Sequence, residues 1–313
     1  MSRYDQDVIV IGGGPAGLAA ATGLAVRQFR VLVLEKEDFG GQLKKVAWFR
    51  GHPDHPQGVA GPELAERLLA TANRSGVRLE YGEVESIESF SSACSVTCVN
   101  GSNFLASKII LAGGRRRLPL GIPGENEFLN RGVIHCVLCD AGLYAGQTVA
   151  VCGGGDAGLS EALTLAQAGA RVMVIERTAA LKAGPALQAE ARAEGKIEFL
   201  FNTVPERING NQVVESLTLY NIFSSERTEL ALAGVVVAVG TAPQTAWLDD
   251  LVRLDGHGAV IVDARMAASS NSIFAVGDIR GNSDLNLASA TRDGAVVADS
   301  LVRLGQHHIE SQT

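Results

Sequence analysis

Two passages of this 313-residue chain repeat one design, and together they predict an α/β protein made of two Rossmann-like, three-layer dinucleotide-binding domains. The first is the β-branched run Val8-Ile9-Val10-Ile11, the turn Gly12-Gly13-Gly14-Pro15-Ala16-Gly17 and an alanine-rich helix over 18–26. The second is a strand over 148–152, the turn Gly153-Gly154-Gly155-Asp156-Ala157-Gly158 and a helix through Leu165. In both copies a second apolar strand ends in glutamate at the same distance: Glu35 lies 35 − 17 = 18 residues past the last motif glycine, and Glu176 lies 176 − 158 = 18.

Each element has a physical reason. A short uncharged β-branched run suits a strand buried on both faces. Gly12 makes the tight turn, Gly14 lets backbone approach a pyrophosphate, and Gly17 lets helix and strand pack closely. The helix N-terminus, carrying Pro15 and Ala16, faces the phosphates. Glu35 accepts hydrogen bonds from an adenosine ribose, and Lys36 follows it. Residues 8–26 are 26 − 8 + 1 = 19 positions without a charge, the nominal length of a membrane span. Six of them, Gly12, Gly13, Gly14, Pro15, Gly17 and Gly23, fit a strand, a turn and a buried helix instead.

Between the motifs come Gly40-Gly41-Gln42, then Trp48 and His52, read either as ordinary packing or as flavin-proximal. An amphipathic helix spans 63–74, short strands centre on Leu79, Ile87, Val96 and Phe104, and a buried strand over 109–111 leads to Ala112-Gly113-Gly114. Cys94 and Cys98 share one face of a strand and read as small core residues, as does Cys152. Arg115-Arg116-Arg117 is a solvated run or a dock for an acidic partner, and a domain boundary falls near residue 117. Strands near Phe199, Val213 and Leu217 and over 235–240 follow the second motif, with Pro243 at the return crossing. A strand over 272–276 delivers Gly277-Asp278 toward a ligand's hydroxyls, and a helix over 288–304 closes the chain.

His135-Cys136-Val137-Leu138-Cys139-Asp140 carries the chemistry. Two thiols at this spacing can close a small ring, one acting as nucleophile and the other resolving the mixed disulfide. Asp140 can carry a proton to and from the outgoing thiolate. A zinc half-site would need a second Cys/His pair, which Cys94, Cys98 and Cys152 do not supply. A net charge of −7 argues against nucleic acid or an anionic membrane as partner. Five cysteines and an N-terminus with no positive segment before its apolar run point to a reducing cytoplasm.

Gly12-x-Gly14-x-x-Gly17, Gly40-Gly41-Gln42, Cys136-x-x-Cys139-Asp140, Gly153-x-Gly155-x-x-Gly158 and Gly277-Asp278 together resemble the low-molecular-weight thioredoxin reductase family of flavin disulfide reductases. The resemblance implies a homodimer and a discontinuous FAD domain, 1–116 with 245–313, into which a central domain, 117–244, is inserted. It puts FAD on Gly12, Gly14, Pro15, Ala16, Gly17, Glu35, Lys36, Gly41, Gln42, Gly113, Gly277, Asp278, Asn286, Leu287 and Ala288. The second nucleotide falls on Gly153, Gly155, Asp156, Ala157, Gly158, Glu176 and Arg177. Cys139 would lie over the flavin, Cys136 would attack the partner disulfide, and Asp140 would be the acid. The implied partner is a thioredoxin-like protein disulfide or another dithiol.

Three departures from the family pattern matter. NADPH-using members carry a His-Arg-Arg cluster where this chain reads Glu176-Arg177-Thr178, so NADPH is disfavoured and NADH or a second FAD fits better. The Arg-Gln pair before the last helix reads Leu285-Asn286, and the Asn-Trp-Pro-Gly segment reads Gly51-His52-Pro53-Asp54. The residues therefore leave several readings open. One is an enzyme with a nicotinamide-independent donor, such as a ferredoxin-type acidic protein, and another is an NADH-dependent reductase. A dithiol oxidase using oxygen, with His135 as base, and a non-catalytic flavin module complete the set.

Overall fold

The computed structural model describes residues 5–49, 55, 57–90, 93–248 and 250–310. By backbone contacts the chain forms two compact units, Met1–Arg116 with Ala242–Thr313, and Arg117–Thr241. The α/β class with two Rossmann-like sheets, the second inserted into the first, is therefore seen directly.

The outer unit begins β1 (Gln6–Ile11), α1 (Pro15–Ala25), β2 (Val31–Glu35), α2 (Gly61–Arg74), β3 (Arg78–Tyr81), β4 (Val84–Ser89), β5 (Cys94–Cys98) and β6 (Asn103–Leu111). Its sheet runs β3-β2-β1-β6-β5-β4. Strands β3, β2, β1 and β6 pair in parallel, and β5 and β4 are antiparallel additions. Successive strand residues point to opposite faces. Val8, Val10, Val31 and Val33 accordingly enter one buried cluster with α1, while Ile9, Ile11, Leu32 and Leu34 enter another. The expected short strand at Phe104 and buried strand at 109–111 are one nine-residue strand. Its first half pairs with β5 and its second half receives a late strand on the same side.

The chain leaves this unit through β7 (Arg115–Arg117). The central unit contains β8 (Val133–Ile134), α3 (Val137–Asp140), β9 (Thr148–Cys152), α4 (Asp156–Gln167), β10 (Arg171–Glu176), α5 (Pro185–Ala193), β11 (Ile197–Phe201), β12 (Thr203–Gly210), β13 (Val214–Asn221), β14 (Arg227–Ala231) and β15 (Gly234–Val237). A five-stranded parallel sheet, β11-β10-β9-β15-β8, is the middle layer. Helices α4 and α5 cover one face, and the meander β12-β13-β14 covers the other through Ile208, Leu217 and Leu219. Sequence periodicity found Leu217 but put Val213 in a strand, whereas it precedes β13 and is exposed. Expected strand 235–240 stops at Val237, because Ala238 to Gly240 turn the chain toward the next crossing.

β16 (Thr241–Pro243) pairs with β7, β17 (Ile273–Ala275) joins β6 in parallel, and α6 (Leu287–Glu310) ends the chain. The last helix extends past the expected 288–304 at both ends. Among the described residues no helix is long and apolar enough to cross a membrane, and no group of three metal-ligating side chains forms.

Candidate active site

Both glycine turns are built alike. Gly12 and Gly153 sit at φ +111 and +122, in the left-handed region that favours glycine. A Cβ at Gly17 would overlap the Gly12 carbonyl, and one at Gly158 would overlap the Gly153 carbonyl. A Cβ at Gly14 or Gly155 would meet nothing within 4 Å, so open space lies where a pyrophosphate would approach. Pro15 starts α1, Ala16 is buried beside it, and Asp156 and Ala157 occupy the same places in α4. Asp156 Oδ1 also accepts the Gly184 amide at 2.8 Å.

The two strand-ending glutamates are held differently. Glu35 accepts the Gly13 amide at 2.6 Å on one oxygen and the Glu37 amide at 2.8 Å on the other. A carboxylate has about four acceptor positions. One therefore stays open on each oxygen, which fits two ribose hydroxyls. Glu176, 5% exposed, accepts the Gly154 amide on Oε2 and both the amide and the hydroxyl of Thr178 on Oε1. Burial opposes its charge, but the two Thr178 bonds, the Gly154 amide and Lys182 outweigh it and hold the carboxyl below its ordinary value. The group is an anion at neutral pH. Thr178, which the sequence reading did not single out, holds this carboxylate; a hydroxyl two positions past the strand-ending glutamate was the available signal. Arg177 is exposed next to it.

Around the first turn, a Cβ at Gly41 would come within 3.2 Å of Gly14 Cα, so Gly40-Gly41-Gln42 does lie against the motif, with Gln42 exposed. Lys36 reaches Glu83 at 4.0 Å. Gly113 faces Ile279, and its carbonyl accepts the Gln244 side chain at 2.6 Å. Asp278 is half-buried; burial, foremost, pushes its carboxyl above the ordinary value, against the Ser283 hydroxyl and Arg115. Asn286 Oδ1 accepts the Ser289 amide at 2.8 Å at the start of α6, Leu287 packs on Leu43 and Leu64, and Ala288 is exposed. The Ser289 hydroxyl is buried without a hydrogen-bond partner. These features fit FAD: an open glycine cradle, a carboxylate with room for a ribose diol, and an orphaned buried hydroxyl. Trp48 is half exposed, whereas Gly51, His52, Pro53 and Asp54 lie outside the described residues.

Cys136 and Cys139 are joined in a disulfide with Cα atoms 5.3 Å apart. Cys136 precedes α3, and its Sγ accepts the Cys139 amide at 3.3 Å. His135 and Cys139 are exposed, while Cys136 and Asp140 are half-buried. Tyr144, a turn further on, has its hydroxyl pushed up by burial and by the Asp140 charge. The arginine run is not solvated along its whole length, as one of its two sequence readings had it. Alternation along β7 exposes Arg116 and turns Arg117 back to a two-pronged pair with Glu161 and a 3.0 Å bond to the Val237 carbonyl. Cys94, Cys98 and Cys152 are free and buried.

The chain belongs to the pyridine nucleotide-disulphide oxidoreductase family, whose model matches residues 6–295. Within it, the fold and the Cys136–Cys139 pair are those of the low-molecular-weight thioredoxin reductases, and the chain is a flavin-dependent thiol/disulfide oxidoreductase. It is 35% identical to the thioredoxin reductase of Treponema pallidum over 94% of this chain and 95% of that one. Against the Bacillus subtilis thioredoxin reductase the identity is 31%, over 97% and 95%. The crystal structure of Lactococcus lactis thioredoxin reductase superposes with a TM-score of 0.92 at 34% identity, covering 96% of this chain and 98% of that chain.

Proposed function

We propose that the protein is a homodimeric disulfide reductase that reduces a thioredoxin-like protein disulfide through Cys136 and Cys139. The observation that carries this reading is the Cys136–Cys139 disulfide itself, set at an accessible turn of the central unit. A flavin held by the outer unit would, once reduced by the electron donor, supply the two electrons that open it. In the disulfide the Cys139 amide donates to Cys136 Sγ at 3.3 Å, which places a hydrogen-bond donor beside the sulfur that attacks. The Cys136 thiolate attacks one sulfur of the partner disulfide, forming a mixed disulfide and releasing the other sulfur, which takes a proton from Asp140. Cys139 then attacks Cys136 sulfur, giving up its thiol proton to the partner's second sulfur as that sulfur leaves, which restores the internal disulfide and releases the partner as a dithiol. His135 stands beside the nucleophile and can relay that proton. The test is trapping: Cys139→Ser should accumulate a mixed disulfide with oxidised thioredoxin, and Cys136→Ser should not. Equal turnover by both variants and by the wild type would end the proposal.

The same reading gives the central unit an adenine dinucleotide with a free 2′-hydroxyl, either NADH or a second FAD, and disfavours NADPH. A 2′-phosphate would face the Glu176 anion and the Thr178 hydroxyl. Two unit charges about 5 Å apart at an effective dielectric near 20 repel by roughly 3 kcal/mol, on the order of a hundredfold in affinity before screening. Of the two outcomes a nicotinamide-independent donor is favoured slightly, because Leu285-Asn286 stands in the flavin's surroundings, where a change from NADPH to NADH requires none. Counting flavin per chain and mixing the oxidised protein anaerobically with each nicotinamide decides the matter. One FAD with rapid bleaching by NADH means a nicotinamide enzyme, two FAD with no bleaching means another electron carrier, and rapid bleaching by micromolar NADPH refutes this account of Glu176.

A further inference from the structure

The turn that carries Asp278 is held by a buried ion pair to which neither the sequence motifs nor the proposed chemistry gives a role. Arg280 and Asp293 are 8% and 1% exposed. Asp293, on the second turn of α6, takes Arg280 Nε at 2.6 Å on Oδ2 and Arg280 Nη2 at 2.8 Å on Oδ1. Its Oδ2 also accepts the Gly277 amide at 3.0 Å. Arg280 Nη1 donates to the carbonyls of Gly281 and Asn282, each at 3.0 Å. Every polar contact the pair makes outside itself thus ends on the backbone of 277–282, the segment containing Asp278. Gly277 stands at φ +73, and a Cβ there would meet the Ala16 Cβ at 2.6 Å, so the turn also lies against the first turn of α1. One helical turn before Asp293, on the same side of α6, is the unpartnered Ser289 hydroxyl.

We propose that Arg280 and Asp293 are positioning residues of the flavin site: the pair fixes the peptide plane at Gly277 and thereby aims Asp278 at the cofactor, an inference that rests on Asp278 being a flavin contact. Stability alone does not account for such a pair. A buried ion pair repays its desolvation only with excellent geometry, and apolar replacements of similar volume are often neutral or stabilising. What the pair supplies and apolar side chains cannot is a set of directed bonds to one turn, with the planar guanidinium fork bridging carboxylate and carbonyls.

That difference gives the experiment. The double variant Arg280→Met/Asp293→Leu should keep the wild-type unfolding midpoint in urea without added FAD. Its FAD dissociation constant should rise at least about tenfold, and the visible flavin spectrum and midpoint potential should shift. Arg280→Lys, which keeps the charge but loses the fork, carries the test if the double variant does not fold; its affinity should fall about threefold or more with a shift in the same sense. Asp278→Ala, measured alongside, reports on the underlying assignment. Wild-type affinity and potential in the folded clamp variants, with Asp278→Ala impaired, overturn the clamp alone. Wild-type affinity in Asp278→Ala overturns the assignment of Asp278 and the inference with it.

Discussion

Cys152 shows how far one residue's surroundings can set its chemistry. It ends β9, is 1% exposed, and burial followed by the Glu125 charge pushes its thiol from 9.0 up to about 12. A thiol held neutral is neither nucleophile nor metal ligand, which separates it from Cys136, 152 − 136 = 16 residues earlier and half-buried beside the exposed Cys139. The shift is also a statement about stability. The folded thiol stays protonated while the unfolded one ionises, so the stabilisation is complete below pH 9 and is lost as pH rises toward 12. Near pH 10 to 11 the loss should approach about 1.4 kcal/mol per pH unit from this group. Urea unfolding at pH 8 and pH 10.5 should therefore show a steeper decline in the wild type than in Cys152→Ala, and parallel declines would contradict the assignment.

At the scale of elements, the strand-turn-helix unit assigns unlike jobs to glycines only three apart. Gly14 has empty space where a side chain would go, whereas Gly17 has the Gly12 carbonyl. Gly14→Ala should thus fold with unchanged urea midpoint yet purify with little FAD, because the methyl group enters the pyrophosphate approach. Gly17→Ala must push α1 away from β1 and should cost about 1–3 kcal/mol, as overpacking does. Flavin content and unfolding midpoint, measured on both, should move in opposite combinations; a Gly14→Ala protein with full flavin would refute the cradle. β7 makes the complementary point, since Arg116 is exposed while Arg115 and Arg117 on either side of it are half-buried, as the alternation of strand faces requires.

For the whole molecule, each unit has its own buried clusters, and among the described residues two lie in the central unit and the others in the outer one. A segment that buries its own core should fold by itself. Residues 117–241 expressed alone should give dispersed amide spectra, close the Cys136–Cys139 disulfide on oxidation, and show tighter binding of 5′-ADP than of 2′,5′-ADP. A molten spectrum from this fragment would mean that the central unit depends on the rest of the chain. The charge of −7 sets the partner class at this scale, weighting against polyanions.

The sequence by itself determined the α/β class, the doubling of the nucleotide fold, the positions of Glu35 and Glu176 and the identity of the reactive thiols. Those features are local: a turn needing glycine at fixed offsets, a period-two apolar run, and two cysteines three apart leave their mark in neighbouring residues. What only the tertiary structure decided depends on residues distant in the chain. Arg117 finds Glu161 44 positions later, Asp293 reaches back 16 to Gly277, and the β12–β14 meander becomes visible only as the layer covering Ile175 and Val235. Thr178 stood within reach of local reasoning, but its role needs the carboxylate geometry that folding β10 against the Gly154 amide creates. Side-chain partnership across such separations is fixed by packing, and no periodicity or spacing within one segment encodes it.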